Sequence, residues 1–96
     1  MGLLFEWNPA KARANLSKHG VRFDEALTVF DDPLARIFAD GEHSQYEVRE
    51  IVIGHAVSGR LLVVAFTEPN EGRVRVISAR KATYRERHDY EENVGH

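Results

Sequence analysis

The chain has 96 residues, no cysteine, 43% hydrophobic and 29% charged residues, and a formal net charge of −2. This length makes one domain spanning residues 1–96 with one core, and the lack of cysteine excludes disulfides and thiolate chemistry. No apolar run approaches the ~18 residues of a membrane span, and the opening MGLLFEW lacks the length and basic flank of a signal peptide, so the expected setting is the cytoplasm, away from membrane.

Phe5 and Trp7 read as a short strand. EWNPAKARANLSKHGV then reads as a helix with both ends marked: Asn8 as N-cap, Pro9 at the first helical position and Gly20 as the stop. Lys18 and His19 fall in its last turn, where the helix dipole favours cations. FDEALTVFDDP repeats the plan, with Asp24 as cap, an apolar stripe of Ala26, Leu27 and Phe30, and Pro33 as terminator. After Pro33 the period changes to two. LARIFA is a short edge strand and DGEHSQ a polar loop. VREIVIG alternates, with Arg49, Ile51 and Ile53 on one face. LLVVAFT is apolar on both faces, as a central strand is. Ser58-Gly59 and EPNEG are turns, and RVRVISAR is the fourth strand of the run. Thr83 and Glu86 form a capping box that opens a last helix. The expected fold is α+β: two N-terminal helices, preceded by the short strand, packed on a four-stranded antiparallel meander, then a C-terminal helix. Leu16, Phe23, Leu27, Phe30, Ile51, Ile53, Leu62, Val64, Val74 and Val76 are the expected core.

Charge is uneven along this frame. Residues 60–87 hold seven Lys/Arg against three Asp/Glu, whereas residues 1–59 hold six against nine. A local cationic excess in a near-neutral chain attracts a polyanion more selectively than a uniformly basic surface does. In the fourth strand Val74 and Val76 point to the helices, so Arg73 and Arg75 look out from the other face. Arginine forks on an open sheet suit phosphate. Metal-free RNA cleavage requires a base for the 2′-hydroxyl, cations for the phosphate oxygens and an acid for the leaving 5′-oxygen. Arg49, Arg60, Arg75, Arg80 and Lys81 supply cations; His19, His43, Glu47, Glu50, Glu68, Tyr84 and His88 are candidate acids and bases, and spacing singles out none of them. The same arginines fit an ordinary solvated face, Glu47 with Arg49 a surface ion pair, and His19 a dipole partner. The five histidines show no metal-ligand spacing. Arg75 and Arg80 leave a regular strand on opposite faces, so a shared cleft demands a bulge or twist near Ser78, or the sheet's end, to bring Arg80 round.

FEWNPAKARANLSKHGVRFDEALTVFDDP, DGEHSQYEVREIVIG, GRLLVVAFTE and RVRVISARKATYRERHDYEE together resemble the BrnT toxins of type II toxin–antitoxin systems over residues 5 to 92. The resemblance implies a RelE-like ribonuclease fold, metal-independent RNA cleavage that stops translation, no cofactor, and a ribbon-helix-helix antitoxin (BrnA-like) whose complex with the toxin binds operator DNA. Its pattern falls on Lys18, His19, Glu47, Arg49, Arg60, Thr67, Glu68, Arg75, Ser78, Arg80, Lys81 and Glu86, and departs at Asn8, where Asp is common and caps equally well. Arg75, Arg80, Glu47, Arg49 and His19 are the catalytic candidates; Arg60, Glu68, Arg73, Lys81 and Lys18 are the RNA-binding ones. The alternative is a non-enzymatic module whose basic face holds an acidic antitoxin for assembly and operon repression.

Overall fold

A computed structural model of the chain describes residues 2–41 and 47–94. The elements are β1 (Leu4–Glu6), α1 (Pro9–His19), α2 (Phe23–Ala26) continued by a 3₁₀ turn (Leu27–Asp31), β2 (Arg36–Ala39), β3 (Arg49–His55), β4 (Leu61–Asn70), β5 (Arg73–Lys81) and α3 (Tyr84–Val94). One sheet carries the strands in the order β1-β5-β4-β3-β2. β2 to β5 run antiparallel in succession, but β1 adds to β5 in parallel. The sheet is therefore five-stranded and mixed, not a four-stranded antiparallel meander. Three residues of β1 suffice for the difference, because the two helices between β1 and β2 act as a crossover that returns the chain to the sheet's far side.

α1 begins and ends where its caps require. The Asn8 side chain accepts from the Ala10 and Lys11 amides at 2.8 and 3.2 Å, and Gly20 closes the helix at φ 70° with its N–H donated to the Leu16 carbonyl. α2 is shorter than its sequence pattern implies. Arg22, not Asp24, occupies its N-cap position and makes no side-chain cap, while Asp24 sits in the first turn and pairs with Arg22.

The sheet divides two cores. On one side Val52, Leu62, Val64, Phe66, Val74, Val76 and Ala79 meet Val21, Phe23, Ala26 and Val29 from the helical segment. Phe30 is half-buried in this layer, its ring between Phe5 and Phe66 with centroids at 5.2 and 5.0 Å. On the other side Ile53, Leu61 and Val63 meet Tyr90 of α3. The third helix thus packs on the sheet face opposite α1 and α2. Leu27, like Phe30 and Ile51, is intermediate rather than buried, and Leu16 is 41% exposed.

The residue of α1 that is buried is Asn15. Its amide donates to the Ala79 and Val21 carbonyls at 2.8 and 3.0 Å and accepts from the Ala79 N–H at 3.0 Å. β1 pairs only with residues 73–75 of β5. Asn15 takes the place of further strand at Ala79 and satisfies backbone groups that a buried edge would otherwise leave unpaired. At the opposite edge Gly54 is approached so closely that a β-carbon there would lie 2.9 Å from the Ala35 side chain and 3.0 Å from Val29; a larger residue would push the 3₁₀ turn off β3.

Candidate functional site on the sheet

The pairing register shifts between Ala65 and Phe66: Phe66 faces Val76, but Ala65 faces Ser78. Ile77 is the extra residue of a β-bulge. Before it, Val74 and Val76 enter the α1 side; after it, Ala79 does. Arg75, Ser78 and Arg80 consequently share the other face. Without the bulge the two arginines would diverge, as period two dictates.

Cross-strand pairing arranges this face in rows. The first runs Glu6, Arg75, Thr67, Arg49 across β1, β5, β4 and β3. The second runs Ser78, Ala65, Ile51, Phe38, and the third Arg80, Val63, Ile53, Arg36. Directly opposed side chains lie about 5 Å apart at their β-carbons, so each row is a contact line.

The first row concentrates charge. Glu6 accepts from the Arg75 Nε at 3.2 Å and lies 3.5 Å from the Arg73 Nε. Glu47, just ahead of β3, accepts from the other end of the Arg75 guanidinium at 3.4 Å. Two carboxylates thus bracket one arginine. Arg49 stands in the same row beyond Thr67. The Thr67 side chain is fully buried, with 2% of the residue exposed, and among the described residues its hydroxyl has no hydrogen-bond partner.

The third row is closed by α3. Glu86 receives two hydrogen bonds from the Arg80 guanidinium at 2.7 and 2.8 Å, and one from the Thr83 N–H at 2.8 Å, while Thr83 Oγ1 accepts from the Glu86 N–H at 3.1 Å. The expected capping box is therefore present and fastened to the sheet by Arg80. The Arg80 hydrogen bonds hold the Glu86 carboxyl at about 2, against the burial that opposes them. Tyr90 donates to Asp32 at 3.1 Å, beside the His55 N–H on the same oxygen at 2.8 Å. Burial, together with this anionic partner, pushes the Tyr90 phenol up. Burial alone would raise Asp32, yet its donors, His55, Leu34 and Tyr90, hold it below the usual range. Between α3 and the sheet lies a cleft of about 350 Å³ lined by Arg36, Phe38, Ile51, Ile53, Arg80 and Glu86 among others.

Of the residues singled out in the sequence, Arg49, Glu47, Arg73 and Arg75 come together around the first row, with Arg80 two rows below. The others do not join them. Lys18 and His19 end α1, on the opposite side of the sheet. Lys81 pairs with Leu62, whose side chain belongs to that opposite side. Arg60 sits just before β4, roughly 20 Å from Thr67 at ~3.3 Å per residue, where it binds the Gly20 carbonyl at 3.1 Å and Glu25 through Nε at 2.8 Å. That hydrogen bond holds the Glu25 carboxyl below its ordinary value. Glu68 accepts from the Gly72 N–H at 3.0 Å in the β4–β5 turn. His43 lies outside the described residues. Glu6 went unmarked in the sequence, because a three-residue strand in parallel pairing carries no periodic signal. No group of three or more His, Cys, Asp or Glu able to hold a metal ion occurs among the described residues, and no helix there is long and apolar enough to cross a membrane.

Comparison with known proteins agrees with this architecture. The model of a family described as the ribonuclease toxin BrnT of type II toxin–antitoxin systems matches residues 7–86. Among solved structures, the 1.1 Å crystal structure of the Brucella abortus ribonuclease toxin BrnT superposes with a TM-score of 0.63 at 24% identity, over 86% of this chain and 97% of that one; this is a likeness of fold. No curated protein sequence matches significantly.

Proposed function

Because the chain belongs to the BrnT family of ribonuclease toxins of type II toxin–antitoxin systems, we propose that it cleaves RNA without a metal on the sheet face that carries Glu6, Glu47, Arg49 and Arg75, and so halts translation. The observation that supports this reading most is the first row, where arginines from β3 and β5 flank Thr67 and two carboxylates lie at contact distance from Arg75. In that arrangement Arg75 and Arg49 bind the scissile phosphate and stabilise the charge that gathers on its oxygens. Glu47, already at the Arg75 fork, takes the proton of the 2′-hydroxyl as that oxygen attacks phosphorus. The P–O5′ bond breaks as water gives a proton to the leaving oxygen, leaving a 2′,3′-cyclic phosphate and a 5′-hydroxyl. Arg80 lies on the same face but is held in a two-bond pair with Glu86, so it serves by anchoring α3 at the cleft's lower wall. Arg73 adds cationic charge along the strand.

On this reading the fold is RelE-like, and a ribbon-helix-helix antitoxin neutralises the toxin by covering the cationic face with acidic residues. The complex of the two, through the antitoxin, then binds operator DNA. Lys18, Lys81, Arg60 and Glu68 fall outside the cluster and contribute at most to the outer path of a long RNA, and His19 has no part in the chemistry. The test is incubation of the purified chain with end-labelled RNA in excess EDTA. Cleavage to fragments with cyclic phosphate termini supports the proposal. Intact RNA, with an acidic partner peptide still bound, would replace it by the non-enzymatic binding module.

A further inference from the structure

Thr67 is the unexplained residue of the first row. Its neighbours on either side are Arg49 and Arg75, both cations, and neither offers its hydroxyl an acceptor. Among the described residues its Oγ1 is a buried side-chain oxygen without a hydrogen bond. Native structures rarely tolerate such a group without a use for it. Valine has the same shape and β-branching, suits a central strand equally well and would carry no such cost. A hydroxyl is both a donor and an acceptor, and it rotates to suit its partner. Between two guanidinium groups the partner that completes it is an anion with oxygen acceptors, which can take a proton from Thr67 and charge-assisted hydrogen bonds from both arginines at once.

We propose that Thr67 is the floor of a phosphate subsite, its hydroxyl donating to a non-bridging oxygen of the RNA phosphodiester that Arg49 and Arg75 hold from either side. The inference rests on the assignment of this face to RNA cleavage, and it adds a third donor to that site. In the free protein the Arg75 fork is held by Glu6 and, more loosely, by Glu47 at 3.4 Å. An incoming phosphate exchanges with Glu47, frees that carboxylate beside the 2′-hydroxyl, and stands over Thr67. Binding of the phosphate and readying of the base are thereby one event.

The experiment compares Thr67→Val, Thr67→Ser and Arg75→Ala in the full chain. Binding is read with an oligonucleotide carrying a 2′-deoxy sugar at the cleavage position, cleavage with its all-ribose counterpart, and folding by thermal melting. Thr67→Val is expected to melt no lower than the parent, yet to lose at least tenfold in oligonucleotide affinity or cleavage rate, while Thr67→Ser keeps most of both. If Thr67→Val binds and cleaves as the parent does while Arg75→Ala fails, the subsite is refuted and the cleavage site stands. If Arg75→Ala also acts as the parent does, both fall. Should Thr67→Val not fold, titration of the parent decides: the Thr67 amide resonance should shift with the 2′-deoxy oligonucleotide, and its failure to move overturns the inference.

Discussion

At the residue scale, polar side chains decide how this sheet is finished. Asn15 substitutes for a strand at Ala79, and its three hydrogen bonds join α1 to β5. Asn15→Ala should strand the Ala79 N–H and carbonyl in a buried place and cost about 2–3 kcal/mol, measured by urea unfolding; a loss under a few tenths would mean that water satisfies those groups. Helix periodicity led instead to Leu16 as the inward residue, and Leu16 is exposed. Periodicity scores apolarity and is blind to an amide two of whose three hydrogen bonds reach a residue 64 positions away. Glu6 was illegible for a similar reason: its meaning comes from Arg75, its partner in a parallel pairing that no local pattern announces. Arg49, Arg75 and Glu47 were legible as residue types, since arginine forks and a carboxylate near a strand end carry their chemistry in any register. What the sequence withheld was which of the other candidates would join them.

At the element scale, the bulge at Ile77 and the docking of α3 shape the site. The period-two reading of β5 required a bulge, a twist or the sheet's end if Arg75 and Arg80 were to share a face, and the register shift supplies a bulge. The caps of α1 and α3 were also readable, because Asn-Pro and Thr-x-x-Glu act locally. Which face α3 takes was not readable, since its apolar anchor is the single residue Tyr90, whose partners come from β3, β4 and the turn before β2, and its polar one is the pair of Glu86 with Arg80. Thr83→Ala should lower stability by about 1 kcal/mol through the lost cap, leaving RNA cleavage within a factor of two. The pair of Glu86 with Arg80 makes a stronger, pH-dependent statement. The folded carboxyl titrates at about 2, below its ordinary 4.5. Its stabilisation is therefore complete above about pH 4.5 and is lost as the pH falls through about 2. Glu86→Gln should cost about 1–2 kcal/mol at pH 7, less than the shift alone implies because the pair is about a third exposed, and the gap from the parent should close as the pH approaches 2. Melting curves at pH 7 and below 3 would show it; an unchanged gap would mean that the effect is one of packing.

At the scale of the whole molecule, one five-stranded sheet separates the larger core from the face proposed to cleave RNA. The face toward α1 and α2 holds the larger core, and Phe66→Ala there should cost about 3–5 kcal/mol, enough to unfold much of so small a domain. The α+β class was legible from the change of period after Pro33, but the mixed topology was not, because parallel pairing of β1 depends on the chain's return path and not on β1's own residues. On the opposite face α3 packs over Ile53, Leu61 and Val63, and the first row lies beyond that smaller core. Net charge hides this: the chain is −2 overall, yet Arg49, Arg73 and Arg75 gather around the first row, while Arg60 and Arg80 pair with Glu25 and Glu86 elsewhere. The central claim is that the first row cleaves RNA, and the rate of RNA cleavage by purified Arg75→Ala, set beside Arg60→Ala, tests it most directly. The account predicts a fall of a hundredfold or more, about 2.7–4 kcal/mol of barrier, for Arg75→Ala with folding retained, whereas Arg60→Ala should lose stability and keep its rate in the folded fraction. Cleavage at the parent's rate by Arg75→Ala, or a collapse confined to Arg60→Ala, would contradict it.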